Sequence, residues 1–251
     1  LHFQPQIHIE TNKLIGAESL IRWRHPELGL IPPDKFIPIA EETGLIVPIG
    51  KWVLEEACRQ VKLWHGMGFT DTVIAVNLSA IQFTSGDIEE TVREAIATTG
   101  VTANMIELEL TESIIIKDAE NVLEKVKNLK EMGCHLSIDD FGTGYSSLAY
   151  LKRFAVDTLK IDQAFVRDMP RNKDDEAIVR TIIQMAQNLG LKTIAEGIED
   201  QETLDLLKHH QCDEAQGYLI AKPMNEEDFN DYLLVKQRED KPSILVDIDD
   251  L

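Results

Sequence analysis

Ile106-Glu107-Leu108-Glu109-Leu110 alternates apolar and acidic residues, and the same alternation returns in His135-Leu136-Ser137-Ile138-Asp139 and in Thr158-Leu159-Lys160-Ile161-Asp162. Side chains along a β-strand point to opposite faces with a period of two, so each run splits into two sets. The apolar set, Ile106/Leu108/Leu110, Leu136/Ile138 and Leu159/Ile161, suits burial beneath helices. The polar set, Glu107/Glu109, His135/Ser137/Asp139 and Thr158/Lys160/Asp162, joined later by Glu214/Gln216, must face the other way. Amphipathic stretches with a 3.6-residue period lie between the strands. One runs through Ala119, Val122, Leu123, Val126, Leu129 and Met132, a second through Ile178, Ile182, Met185 and Leu189, and a third through Leu54, Cys58, Val61 and Trp64. Gly100, Gly133 and Gly190 stand where helices end, as C-terminal glycines do.

Outward from these runs, eight strand candidates emerge at residues 3–9, 14–24, 73–78, 106–110, 135–139, 158–161, 192–195 and 214–216. Helices follow from the third strand onward, which predicts an α/β fold, a TIM-like (β/α)8 barrel. The first two candidates are joined only by Glu10-Thr11-Asn12-Lys13, so the opening strand is expected to be irregular and antiparallel. Residues 1–235 are assigned to the barrel and residues 236–251 to a charged tail or linker. The chain opens in a strand without an initiator Met and reads as one domain of a longer signalling protein.

Composition narrows the partners. Lys+Arg 25 against Asp+Glu 44 gives a net charge of −19, which repels polymeric nucleic acid and anionic membranes. A small phosphate ligand remains compatible, because local cations override the global field. Cys58, Cys134 and Cys212 are scattered, with no CxxC pair, which fits reduced thiols in the cytoplasm. No apolar run approaches the ~18 residues of a membrane span, so this segment is expected to make no direct membrane contact.

In a parallel barrel the polar set points into the lumen, where apolar residues normally dominate and carboxylates are costly unless paired or metal-bound. The plain alternative makes them solvated residues on the wet face of an open sheet, or caps of the helices that follow. At or just beyond strand ends stand Asn77, Glu109, Asp139 with Asp140, Lys160 with Asp162, Glu196 and Gln216, with Glu18 inside the second strand. Barrel sites assemble from such ends. Carboxylates and an amide, without clustered His or Cys, form an oxygen-donor set suited to Mg²⁺ or Mn²⁺. Adjacent Asp139 and Asp140 can bridge two ions.

Glu18-Ser19-Leu20-Ile21-Arg22-Trp23 resembles the E-A-L-x-R-W signature of EAL-domain cyclic di-GMP phosphodiesterases. The resemblance continues through Phe36-Ile37-Pro38-Ile39-Ala40-Glu41, Val76-Asn77-Leu78-Ser79, Glu109-Leu110-Thr111-Glu112, Asp139-Asp140-Phe141-Gly142-Thr143-Gly144, Leu159-Lys160-Ile161-Asp162, Ala195-Glu196-Gly197 and Gln216-Gly217-Tyr218. It covers residues 3 to about 230 in order. Ser19 replaces the signature alanine, a small-for-small change expected to matter little.

The resemblance implies hydrolysis of cyclic di-GMP to linear 5′-pGpG with two divalent cations, Mg²⁺ or Mn²⁺, and inhibition by Ca²⁺. It implies that Glu18, Asn77, Glu109 and Asp139 hold one metal and that Asp139 and Asp140 hold the other. Glu196 and Gln216 would reach the second directly or through water. Lys160, Glu196 and Asp140 would be catalytic, with the choice of base between Lys160 and Glu196 left open. Gln4, Leu20, Arg22, Pro38, Asp162 and Gln216 would contact substrate, Arg22 at a phosphate. Three residues past Glu109 and beyond the strand end, Glu112 is expected to anchor the loop after Asp139-Asp140, or else to cap the following helix; the resemblance places that loop near a homodimer interface. Two alternatives stand: a catalytically weak cyclic di-GMP receptor of the same fold, and an unrelated metal-dependent barrel acting on another phosphoester.

Other features carry less. Gly142-Thr143-Gly144-Tyr145 lacks the GK[ST] of a P-loop and reads as a flexible turn. His209-His210 reads as a solvated helix end, Asp174-Asp175 as a helix N-cap, and Trp52 and Trp64 as core or helix-face residues.

Overall fold

The computed structural model describes residues 1–85, 87–112, 114, 119–142 and 148–239. Its strands are β1 (His2–His8), β2 (Leu14–Leu20), β3 (Trp23–His25), β4 (Gly29–Ile31), β5 (Val73–Leu78), β6 (Ile106–Thr111), β7 (His135–Phe141), β8 (Thr158–Ile161), β9 (Lys192–Ala195) and β10 (Glu214–Ala215). Its helices are α1 (Pro33–Glu42), α2 (Ile46–Gly66), α3 (Ala80–Ser85), α4 (Ile88–Thr99), α5 (Ala119–Met132), α6 (Leu148–Arg153), α7 (Gln163–Val166), α8 (Lys173–Leu189), α9 (Gln201–His209) and α10 (Glu226–Glu239). Eight strands close a barrel in the order β1-β10-β9-β8-β7-β6-β5-β2. β1 is antiparallel to both neighbours, β2 and β10, and the remaining seams are parallel.

The alternation along β6 and β8 does what the sequence requires. Ile106, Leu108, Leu110, Leu159 and Ile161 are fully buried in the apolar layer between barrel and helices, and Glu109 and Lys160 are buried in the lumen. α10 packs Phe229 against Phe3 of β1 and Trp64 of α2, with ring centroids 4.7–5.8 Å apart. Burying a ring of this kind contributes roughly 2–3 kcal/mol. This aromatic cluster covers the one strand that runs against the others.

The structure corrects three local readings. The strand expected over residues 14–24 ends at Leu20, and Trp23–His25 pairs instead with Gly29–Ile31 in a hairpin outside the barrel. The N-cap of α8 is Asn172, whose side chain accepts from Asp174 N–H; Asp174 and Asp175 lie in the first turn, where their charge complements the helix dipole. His210 is not solvated: its Nε2 lies 3.0 Å from Glu176 and its side chain is largely buried. The residues of the glycine turn after Gly142, 143–147, lie outside those described. As expected, Gly100 and Gly190 close α4 and α8 in left-handed conformations, and Trp64 is core. Trp52 is half-exposed on α2, and all three cysteines are free and buried.

Candidate metal centre and phosphoester site

Glu18 on β2, Asn77 on β5, Glu109 on β6, Asp139 on β7, Lys160 on β8 and Glu196 after β9 converge where the parallel strands end. Lys160 sits at the middle. Its Nζ lies 2.7 Å from Glu109 Oε2, 2.7 Å from Glu196 Oε1, 3.0 Å from Asp139 Oδ1 and 4.0 Å from Glu18 Oε1. Burial favours the neutral amine, yet Glu109, Glu18, Glu196 and Asp139 together outweigh it and hold the ammonium well above the ordinary lysine range. Lys160 is therefore a fixed cation here.

Strict alternation would turn Asp139 and Asp140 to opposite faces of the sheet. A β-bulge prevents this. The register against β8 steps from Ile138↔Leu159 to Phe141↔Ile161, so β7 carries one extra residue between those pairs. Asp140 takes up that residue in a left-handed conformation, φ 55°, which costs a non-glycine residue strain of a kind that gathers at functional sites. In consequence Asp139, Asp140 and Glu196 each bring an oxygen to within 4.8 Å of the others. Immediately after Glu196 the chain turns at Gly197, φ 69°, where a Cβ would lie 2.4 Å from Gln163 Cβ; only glycine fits.

Five carboxylates, Glu18, Glu109, Asp139, Asp140 and Glu196, surround the single ammonium of Lys160, leaving four formal negative charges. The crowding is visible in their acidity. Burial, with repulsion from Asp139, pushes Asp140 up to about 7, and burial outweighs Lys160 at Glu196, which rises to about 8. Burial likewise drives Glu109 well above the carboxylate range despite Lys160. Glu109 Oε1 is buried with no hydrogen-bond partner, a costly state for a carboxylate oxygen. An all-oxygen donor set with an orphaned oxygen and excess negative charge fits hard divalent cations.

Amides brace the carboxylates from the other side. Asn77 Nδ2 donates to Glu18 Oε1 at 2.6 Å, and Gln216 Nε2 donates to Glu18 Oε2. Gln216 thus offers Glu18 an N–H rather than its oxygen. Gln216 Nε2 also reaches Gln4 Oε1, and Gln4 Nε2 donates to the Ala221 carbonyl. Leu20 and Arg22 line a cavity of about 260 Å³ that opens beside Glu18, Asp139 and Glu196. Asp162 is not among its lining residues, although its neighbour Gln163 is, and it caps α7 by accepting from Ala164 N–H. Pro38 stands exposed on α1, away from that cavity's lining; the α1 residues on the adjoining cavity are Pro33, Ile37 and Glu41. Glu112 is buried beyond β6 and accepts Gly142 N–H at 3.3 Å. Sequence reasoning missed Gln6, a lumen residue of β1 whose Nε2 donates to Gln216 Oε1 at 2.9 Å; its place two residues after Gln4, in an alternation of polar residues with Phe3, Pro5 and Ile7, was the available signal.

A family model described as the EAL domain matches residues 1–223. The chain belongs to the EAL domain family. This EAL domain is 46% identical over 227 residues to the bifunctional diguanylate cyclase/cyclic di-GMP phosphodiesterase MucR of Pseudomonas aeruginosa, covering 90% of the chain and 33% of that relative. It is 41% identical to the cyclic di-GMP phosphodiesterase NbdA of the same organism, covering 89% of the chain and 29% of the relative. The chain thus spans about a third of the curated relatives it matches. Among solved structures, the PaMucR phosphodiesterase in complex with c-di-GMP superposes with a TM-score of 0.89 at 45% identity, covering 91% of this EAL domain and 93% of that chain. The Xanthomonas citri FimX EAL domain in complex with c-di-GMP gives 0.80 at 26%, covering 89% and 87%. Among the described residues no helix is long and apolar enough to cross a membrane.

Proposed function

We propose that the barrel hydrolyses cyclic di-GMP to linear 5′-pGpG. The observation that carries this reading is the buried Lys160 ammonium, held 2.7–3.0 Å from Glu109, Asp139 and Glu196 at the mouth of the barrel. The receptor alternative is disfavoured by the same set, since no carboxylate of the expected constellation nor the lysine is missing.

Glu18, Asn77, Glu109 and Asp139 would hold one Mg²⁺ or Mn²⁺, and Asp139 and Asp140, with Glu196, a second. Such ions lower the pKa of bound water and neutralise charge on phosphoryl oxygens. The chain's own groups do the rest. Arg22 lines the cavity beside Glu18 and grips the phosphate that is not cut. Lys160 places a fixed positive charge where the phosphorane oxygens gather negative charge. One water oxygen bonds to phosphorus and one P–O3′ bond breaks, leaving a 5′-phosphate and a 3′-hydroxyl. Lys160 and Glu196, 2.7 Å apart, are the two candidates to take the water's proton. Residues 1–235 are the phosphodiesterase barrel in this reading, set in a longer, cytoplasmic, homodimeric signalling protein.

Incubation of the chain with cyclic di-GMP and Mg²⁺, followed by chromatography, should give 5′-pGpG as the first product. Tight binding without product would favour the receptor, and turnover of other phosphodiesters alone would favour the unrelated barrel.

A further inference from the structure

The lumen beneath the carboxylates contains a row of three glutamines whose amide orientations are fixed by logic rather than by chance. At one end is the Ala221 carbonyl, which can only accept; Gln4 must therefore turn its Nε2 to it, at 3.0 Å, and its Oε1 the other way. That Oε1 accepts from Gln216 Nε2 at 3.1 Å. At the other end is the Glu18 carboxylate, again an acceptor, which takes a second N–H from the same Gln216 Nε2. Both N–H groups of Gln216 are thereby used, and its Oε1 is left facing Gln6, whose Nε2 donates at 2.9 Å. Gln4, Gln6 and Gln216 are all buried, so a reversed amide would set oxygen against oxygen with no water to relieve it.

We propose that Gln6 is a positioning residue for the cation site: by occupying Gln216 Oε1 it locks the Gln216 amide with one N–H on Glu18 and the other on Gln4, and so fixes the Glu18 carboxylate. The backbone supports the arrangement. Gln6 pairs with Gly16 across the β1–β2 seam, and a Cβ on Gly16 would lie 2.4 Å from Val73 O and 3.4 Å from Gln6 Oε1. The tight approach is to the β5 backbone, and beside it the bare glycine leaves the Gln6 side chain its space over β2. Glu18 then has two separate amide braces, Asn77 on Oε1 and Gln216 on Oε2, and only the second depends on β1. This inference rests on the cation-dependent reading of the site.

The test uses the whole chain and Mn²⁺ alone, followed by electron paramagnetic resonance. Gln6→Met keeps the side-chain length but removes the donor, and is expected to weaken Mn²⁺ affinity about tenfold, the scale on which groups that orient metal ligands act. Gln216→Met should weaken it comparably. The double variant should be no worse than Gln216→Met alone, because Gln6 acts through Gln216. Wild-type Mn²⁺ affinity in Gln6→Met, or losses that multiply in the double variant, would overturn the proposal. A measurement on the unaltered chain guards against a variant that does not fold. The two side-chain amide protons of Gln216 should exchange slowly with solvent, and a fast-exchanging pair also overturns it. A chain that binds Mn²⁺ but leaves cyclic di-GMP intact would defeat the proposed activity while leaving the Gln6 result to stand on its own.

Discussion

Glu112, beyond the end of β6, accepts the backbone N–H of Gly142, two residues past Asp140 on the neighbouring strand, at 3.3 Å. Gly142 has φ 104°, a conformation that glycine adopts freely and that needs a tether to become the only one. The bond fixes the exit of β7 just after the bulge that aims Asp139 and Asp140. Glu112→Ala is expected to fold, to bind substrate nearly as before, to turn over at least about tenfold more slowly, and to need more Mg²⁺ for half-maximal rate. Normal turnover at low Mg²⁺ would reduce Glu112 to a structural brace.

Lys160→Ala separates binding from chemistry. Its charge matters most as negative charge builds on phosphorus, so kcat should fall by about 10²-fold or more with substrate affinity little changed. Arg22→Ala should instead weaken binding, since a phosphate grip acts in ground and transition states alike. Parallel kcat and Kd measurements on both variants check the assignment; matching kcat losses at unchanged affinity would refute it.

Chelation tests the cation reading. EDTA should abolish turnover, and Mg²⁺ or Mn²⁺ should restore it. Ca²⁺ should occupy the carboxylates yet support little hydrolysis, because its looser coordination positions water poorly. Full activity in chelated protein would contradict this.

At the opposite end of the barrel, Asp157 governs acid stability. Burial raises its pKa, but bonds from His135, from Lys130 at 2.7 Å and from Leu136 N–H outweigh burial and bring it down to about 2. A carboxylate with a depressed folded-state pKa contributes stability that is present above its unfolded value near 3.8 and is lost as pH falls through about 2. Asp157→Asn should cost roughly 1–3 kcal/mol at pH 7 and flatten the decline in stability between pH 4 and 2. The partner works in the other direction. The Asp157 bond raises His135 above its usual 6.5, so its share is full below pH 6.5 and disappears as pH rises past the shifted value. Thermal unfolding across pH reads both limbs.

Ser19, the departure from the family signature, is buried and donates from Oγ to the Ala75 carbonyl at 2.8 Å, across the β2–β5 seam. Losing one such bond costs roughly 0.5–1.5 kcal/mol. Ser19→Ala should therefore lower Tm by a few degrees and leave turnover within about threefold, since the hydroxyl bonds a backbone carbonyl and not the Glu18 carboxylate. A large gain in activity would mean that the hydroxyl disturbs its neighbour.

How far the sequence reaches differs from element to element. β6 and β8 were readable because burial on one face and charge on the other write a period of two directly into the residues. The end of β2 was not, because residues 21–25 continue the same pattern and only pairing with Gly29–Ile31 removes them from the barrel. The convergence of strand-end acids followed from barrel geometry, but the bulge between Ile138 and Phe141 did not; a one-residue register shift leaves no mark in composition. Gln6 was overlooked because an amide on a strand acquires meaning only through its partner, more than two hundred residues away in the chain.

That distance has a kinetic consequence. The closing seam of the barrel joins His8 to Glu214, so the contact that completes the cylinder has a large contact order and cannot form until nearly all of the domain has left the ribosome. Until then β1 has only β2 beside it, and β9 presents an open parallel edge of the kind that invites pairing with another chain. Non-local closures of this sort fold slowly. A nascent chain stalled before residue 214 should therefore be protease-sensitive and prone to aggregation, and one released after α10 should resist both.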